Sequence, residues 1–295
     1  MIEVKNVYKS FDGFCALNDL SLNVPSGAVY GLVGPNGAGK TTIIRHLTGV
    51  YRPDCGSVSY DGQPVYENLS IKRRMFCIPD DLYLQGNQTI REMMHFFGNL
   101  YPSFDKQRYE QLKDVFSLDE KQPMRRFSKG MQKQAAFWLA VCCKPDYLIL
   151  DEPVDGLDPV MRRQVWGLLM DDAAEREMTV LVSSHNLREL EDVCDHVGIM
   201  HAGKMLLERS LDQLQENIVK VQLVSDAPLP EKLNVLHEQQ TGRIRTLIVR
   251  GKQNEVTALL AKTDPVLCDL LPLSLEEIFI YELGGVDYDI KNIVL

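Results

Sequence analysis

Gly34-Pro35-Asn36-Gly37-Ala38-Gly39-Lys40-Thr41 follows a continuous apolar run, Val29 to Val33, and opens into TTIIRHLTGV, where Ile43, Ile44 and Leu47 share one helical face. A buried strand, a glycine-rich loop with the spacing G-x-x-x-x-G-K-[ST], and a helix together make a phosphate cradle. Small residues let successive backbone N–H groups face the phosphates, and the helix points its positive end at them. Lys40 is placed to reach the β and γ groups, and Thr41 to ligate Mg²⁺. The candidate binding residues here are Gly34, Pro35, Asn36, Gly37, Ala38, Gly39, Lys40, Thr41 and Thr42.

A second apolar run, Tyr147 to Leu150, ends in Asp151-Glu152, and a third, Thr179 to Val182, ends in Ser183-Ser184-His185. Each is followed by a helical stretch, and this alternation argues for a parallel α/β sheet with its site at the carboxyl ends of the strands. There Asp151 can hold magnesium and Glu152 can polarise an attacking water. Ahead of the first run, Ile2 and Val4, then Leu20, Leu22 and Val24, alternate at period two as half-buried antiparallel strands do. Residues 85–144 read as a helical subdomain inserted between strands. Thr89 and Glu92 form a capping box there, with Ile90, Met93, Met94 and Phe97 at helical spacing. Ala202-Gly203 offers a hairpin turn between Val197–Met200 and Met205–Leu207, and Leu211–Asn217 closes a first domain, 1–217. Strand-like Val219–Val224 and Thr246–Arg250 with helix-like Asn254–Lys262 predict a small α/β domain over 218–295, without a chemical motif. The expected fold class is α/β: a P-loop nucleoside-triphosphatase (NTPase) core with an antiparallel β-subdomain, an inserted helical subdomain and a small C-terminal α/β appendage.

Composition narrows the function. With 32 lysines and arginines against 41 acids, the 295-residue chain carries −9 formal charges, which disfavours nucleic acid as a partner. No apolar run approaches the roughly 18 residues that span a bilayer, and MIEVKNVYKSFDG lacks a signal peptide's apolar stretch, so a cytoplasmic protein is expected. Seven cysteines without a Cys-x-x-Cys spacing suggest buried thiols rather than a metal site or disulfide framework.

Together these motifs resemble the ATP-binding subunits of ABC transporters. Beside the two nucleotide motifs stand Phe127-Ser128-Lys129-Gly130-Met131-Gln132 at the family's signature, then Glu152-Pro153, Gly156-Leu157-Asp158-Pro159 and Ser183-Ser184-His185, in the family's order. The resemblance covers about residues 1–215. Ser274-Leu275-Glu276-Glu277-Ile278-Phe279 resembles the tail of bacterial exporter ATPases.

The resemblance implies an ATPase whose subunits, identical or different, dimerise around two Mg²⁺-ATP and drive a separate integral membrane permease, with export, of a drug or antibiotic, the favoured direction. Such a subunit sits on the inner face of the cell membrane through its partner. Phe11 falls at the position of the aromatic that stacks on adenine, a packing role being the alternative. Ser128 and Gly130 would touch the γ-phosphate of the opposite subunit, Asp158 would lie across the dimer from the phosphate loop, and His185 would hydrogen-bond the γ-phosphate. Lys129 and Met131 depart from the usual signature. More consequentially, Ile78-Pro79-Asp80-Asp81 replaces the family's magnesium-sensing glutamine, so that Asp80 either meets the metal or forms a solvated turn. A soluble relative acting in translation or DNA repair is the alternative function; a phosphate-loop kinase would leave Ser128, Asp158 and His185 unexplained.

Overall fold

The computed structural model describes residues 1–82, 87–211, 213, 218–225 and 227–283. Tyr83, Leu84 and the start of the inserted subdomain at Gln85 lie outside these, as does most of Leu211–Asn217. The described residues divide into two units: Met1–His185 with Val193–Glu208, and Asn186–Asp192 with the described part of Arg209–Leu295. The segment Asn186–Asp192, kept within the first domain by the sequence reading, groups with the second unit.

In the first unit a mixed sheet carries the site. Its order is β10 (Lys204–Ser210), β9 (His196–His201), β3 (Val29–Val33), β8 (Thr179–Ser184), β7 (Tyr147–Asp151), β6 (Met75–Ile78). From β9 to β6 the pairing is parallel, with Val33 beside Ser184, Asp151 beside Ser183 and Ile78 beside Leu150, so these strands end along one edge. Strands covered on both faces can be apolar throughout, and β3, β7 and β8 are buried at every residue. At four residues, β6 is too short to show a period. Ala202 and Gly203 both have positive φ, +45° and +76°, matching the tight hairpin turn expected between β9 and β10.

An antiparallel sheet, in the order β2 (Phe14–Val24), β1 (Ile2–Phe11), β4 (Cys55–Tyr60), β5 (Gln63–Pro64), pairs Ile2 with Val24 and Val4 with Leu22. Its apolar face shares a core with α1 (Lys40–Leu47) through Ile43, Ile44 and Leu47. Tyr60 donates its hydroxyl hydrogen to Leu47 O at 2.9 Å, which satisfies a carbonyl at the end of α1.

Four helices make the inserted subdomain: α3 (Ile90–Leu100), α4 (Lys106–Gln111), α5 (Lys113–Phe116) and the central α6 (Lys129–Cys143), after the short α2 (Leu69–Lys72). The capping box at Thr89 is present, both halves bonded. Of the apolar face read on α3, Ile90 is fully buried and Met93, Met94 and Phe97 are half-buried, while Phe96 and Leu100, outside that face, are exposed. On α6, Trp138 stacks on Tyr109 with ring centroids 4.6 Å apart and donates its indole N–H to Tyr109 O. After β7 comes α7 (Pro159–Arg176).

The second unit is a four-stranded antiparallel sheet, β12 (Asn234–Thr241), β13 (Ile244–Arg250), β11 (Ile218–Val224), β14 (Leu267–Leu271), with α8 (Gln253–Leu260) and α9 (Leu275–Leu283). Val219, Val221 and Leu223 alternate into a core closed by Val256 and Leu260. The sequence reading did not anticipate β12, whose outer half is exposed and polar, or the short β14. Within this unit Arg188 grips Glu276 with two parallel bonds of 2.9 and 2.8 Å, and Leu275 N donates to Glu191.

Cys142, Cys143 and Cys194 are buried as expected, but Cys15 and Cys55 are exposed near strand ends. Among the described residues, no helix is long and apolar enough to cross a membrane.

Candidate functional site

Between β3 and α1 the loop closes on Gly39, which caps the helix with a left-handed φ of +103° that only glycine adopts freely. No side chain caps α1, so its first-turn N–H groups are left to serve as an anion site. Lys40, 6% exposed, donates to Gly34 O at 2.5 Å and lies 3.4 Å from Glu152 Oε1. A cavity of about 310 Å³ joins this loop to Thr41, Thr42, Asp80 and Glu152. A second, of about 580 Å³, is lined by Thr41, Asp80, Asp81 and Asp151.

Asp151, 2% exposed at the end of β7, accepts a hydrogen bond from Ser183 Oγ at 2.6 Å. Glu152 is held from every side. Its N–H donates to Ser183 O and Oγ, its carbonyl accepts from Lys133 Nζ at 2.5 Å, and Oε2 lies 2.9 Å from His185 Nδ1 while accepting the His185 N–H at 3.3 Å. Its φ of +46° is unusual for a side chain of this size and persists because these bonds over-determine it. Asp155 joins Glu152 and His185 in a cluster whose ligand atoms lie within 4.8 Å of one another.

Lys40, Thr41, Asp80, Asp151, Glu152 and His185 thus gather at the strand ends. Ser128 and Asp158 instead cap their own helices: Ser128 Oγ accepts Met131 N–H at 3.2 Å, and Asp158 accepts Val160 and Met161 N–H at 3.0 Å. Gly130 is needed for close approach, because a Cβ there would meet Gly156 O at 2.4 Å. Phe11 packs against Tyr51, centroids 5.4 Å apart, beneath Lys9, and does not line the loop cavity. Phe14, its partner across the tight Asp12-Gly13 turn, is 68% exposed and does. The sequence reading missed Phe14, Ser183, Asp155 and Lys133. The first was signalled by its pairing across the turn; the last carried no motif.

Comparison with known proteins identifies this arrangement. Residues 17–155 match the ABC transporter family. The chain is 30% identical over 97% of its length, and 99% of the relative's, to the ABC transporter ATP-binding protein YtrB of Bacillus subtilis (strain 168). The chain belongs to the ABC transporter ATP-binding proteins. It is 32% identical to the bacitracin transport ATP-binding protein BcrA of Bacillus licheniformis, over 97% of this chain and 98% of that one. A solved ATP-binding subunit of an ABC transporter superposes with a TM-score of 0.66 at 28% identity, covering 73% of this chain and 92% of that one. The chain is therefore an ATP-binding, ATP-hydrolysing transporter subunit.

In this ATPase subunit the Thr41–Asp80–Asp151 cavity offers hard oxygen donors, a set suited to a small divalent cation. Cys77 lines the same cavity, and burial, reinforced by the Asp151 charge, pushes its thiol up to about 12, so without a metal it stays protonated near neutral pH.

Proposed function

We propose that two ATPase subunits, identical or paired with a related chain, close around two Mg²⁺-ATP, and that closure drives a separate integral membrane permease to export a drug or antibiotic. The observation that carries this reading is the meeting of Lys40, Asp151, Glu152 and His185 at one edge of the sheet. Lys40 neutralises the β and γ phosphates, and Glu152 polarises the attacking water while His185 orients its carboxylate. Thr41, Asp151 and Asp80 would hold a Mg²⁺ ion, whose charge would offset that of the phosphates. Ser128, whose hydroxyl can still donate while it caps α6, reaches with Gly130 towards the γ-phosphate held by the opposite subunit, and Asp158 lies across the dimer from that subunit's phosphate loop. Adenine stacks at the β1–β2 turn, on Phe11 or on the more exposed Phe14.

Export of an antibiotic is supported by the bacitracin transport protein among the relatives. The subunit works on the inner face of the cell membrane, held there by its permease. The net charge of −9 argues against a nucleic-acid partner. Glu152→Gln tests the site: hydrolysis should fall by about a hundredfold or more while ATP binding survives, since the amide keeps the shape and loses the base. In Mg²⁺-ATP this variant should scatter light as a dimer; a monomer at every ATP concentration would refute the closed pair.

A further inference from the structure

Lys133 belongs to no motif, yet among the described residues its side chain joins the helical subdomain both to the backbone of Glu152 and to the carboxylate of Asp80. It lies on α6, five residues beyond Ser128, and is 1% exposed. Its ammonium donates to Glu152 O at 2.5 Å and to Asp80 Oδ1 at 3.3 Å. A buried cation persists when its partners compensate it, and here they are a backbone carbonyl and a carboxylate. Both matter to nucleotide chemistry. The carbonyl belongs to the residue with the left-handed φ of +46°, so fixing it fixes the direction in which the Glu152 carboxylate leaves the backbone. The carboxylate lines both cavities around Thr41, where an unbalanced acid would repel a polyphosphate.

We infer that Lys133 is a positioning residue with two separable tasks: it holds the backbone of Glu152 in its left-handed conformation so that the carboxylate is aimed, and it offsets the charge of Asp80 beside the phosphate loop. The inference rests on the reading of Glu152 as the base. Because Lys133 rides on α6, the aim of Glu152 is tied to the position of that helix.

The two tasks predict different kinetic signatures. With saturating Mg²⁺, Lys133→Met should lower kcat by about tenfold or more while KM for ATP moves less than about threefold, and Lys133→Arg should recover most of kcat. Without metal, Lys133→Met should weaken binding of a fluorescent ATP analogue by about threefold or more, because Asp80 is left uncompensated. Adding Asp80→Asn to Lys133→Met should restore that affinity and leave kcat low. Wild-type kcat in a folded Lys133→Met protein, or recovery of kcat in the double variant, would overturn the assignment.

Should Lys133→Met fail to fold, Asp80→Asn alone decides. Read without metal, where no Mg²⁺ ligation enters, its affinity for the analogue should rise by about threefold or more, because the Lys133 charge then faces the phosphates unopposed. An unchanged or weaker affinity would overturn the proposal. Glu152→Gln separates the layers. If it hydrolyses ATP normally, the base assignment and this inference fall together; if it is inactive while Lys133→Met is normal, the positioning role alone falls.

Discussion

At the scale of single residues, the site works by opposing charges held at short range where the strands end. Lys40 is nearly buried between Gly34 O and the Glu152 carboxylate, so its ammonium is already partly stripped of water where phosphates dock. Charge-assisted hydrogen bonds contribute about 1.5–3 kcal/mol each. Lys40→Met should therefore weaken ATP binding by about tenfold to a hundredfold, measured by calorimetry in Mg²⁺. Unchanged affinity would dismiss the phosphate-loop assignment. Glu152 shows the complementary feature: a left-handed residue costs roughly 1–2 kcal/mol, which its bonds to Ser183, Lys133 and His185 offset. The motif spacing told the residue types at the site; it could not tell that Lys133 holds the base.

At the scale of elements, the inserted subdomain owes its order to α6 and to a cluster of charges around Glu120. Burial disfavours the charged form of Glu120, but hydrogen bonds from Arg91, Tyr109 and Lys113 outweigh it and hold the carboxyl down at about 2. A folded-state value below the unfolded one means that the stabilisation is complete above the unfolded value of about 4.5 and disappears as pH falls towards 2. Glu120→Gln should cost about 1 kcal/mol near neutral pH, well under the full linkage value because water screens the cluster. Thermal melts of the two proteins should converge as pH drops through that window; a gap that is constant with pH would show that the charge contributes nothing. The capping box of α3 was legible because it is local. The partial exposure of its apolar face was not, because the same periodicity serves a core face and an open one.

On the scale of the whole molecule, every group around the phosphate loop belongs to the first unit, while Asn186–Asp192, directly after His185, belongs to the second. A chain ending at Glu208 should bind ATP within about threefold of the full protein, since a separate unit with its own core contributes no lining residue. It should also melt lower. Asn186–Asp192 would lose the Glu276 partner of Arg188 and the Leu275 N–H donated to Glu191. A folded protein of that length unable to bind ATP would show that the first unit does not make the nucleotide site alone.

Local chemistry is what the sequence determined by itself. A buried strand, a glycine loop and an amphipathic helix are written in consecutive residues, and so are the acids that end β7, because their geometry needs no distant partner. The order of the family's motifs carried the function for the same reason. The tertiary structure alone decided which side chains meet: Phe14 rather than Phe11 at the loop cavity, Ser183 on Asp151, and Lys133 beneath Glu152. It also decided that Asn186–Asp192 sits with the second unit. Such pairings join residues from 19 to 88 positions apart, across loops whose path no periodicity records, and packing selects them only when the chain has closed.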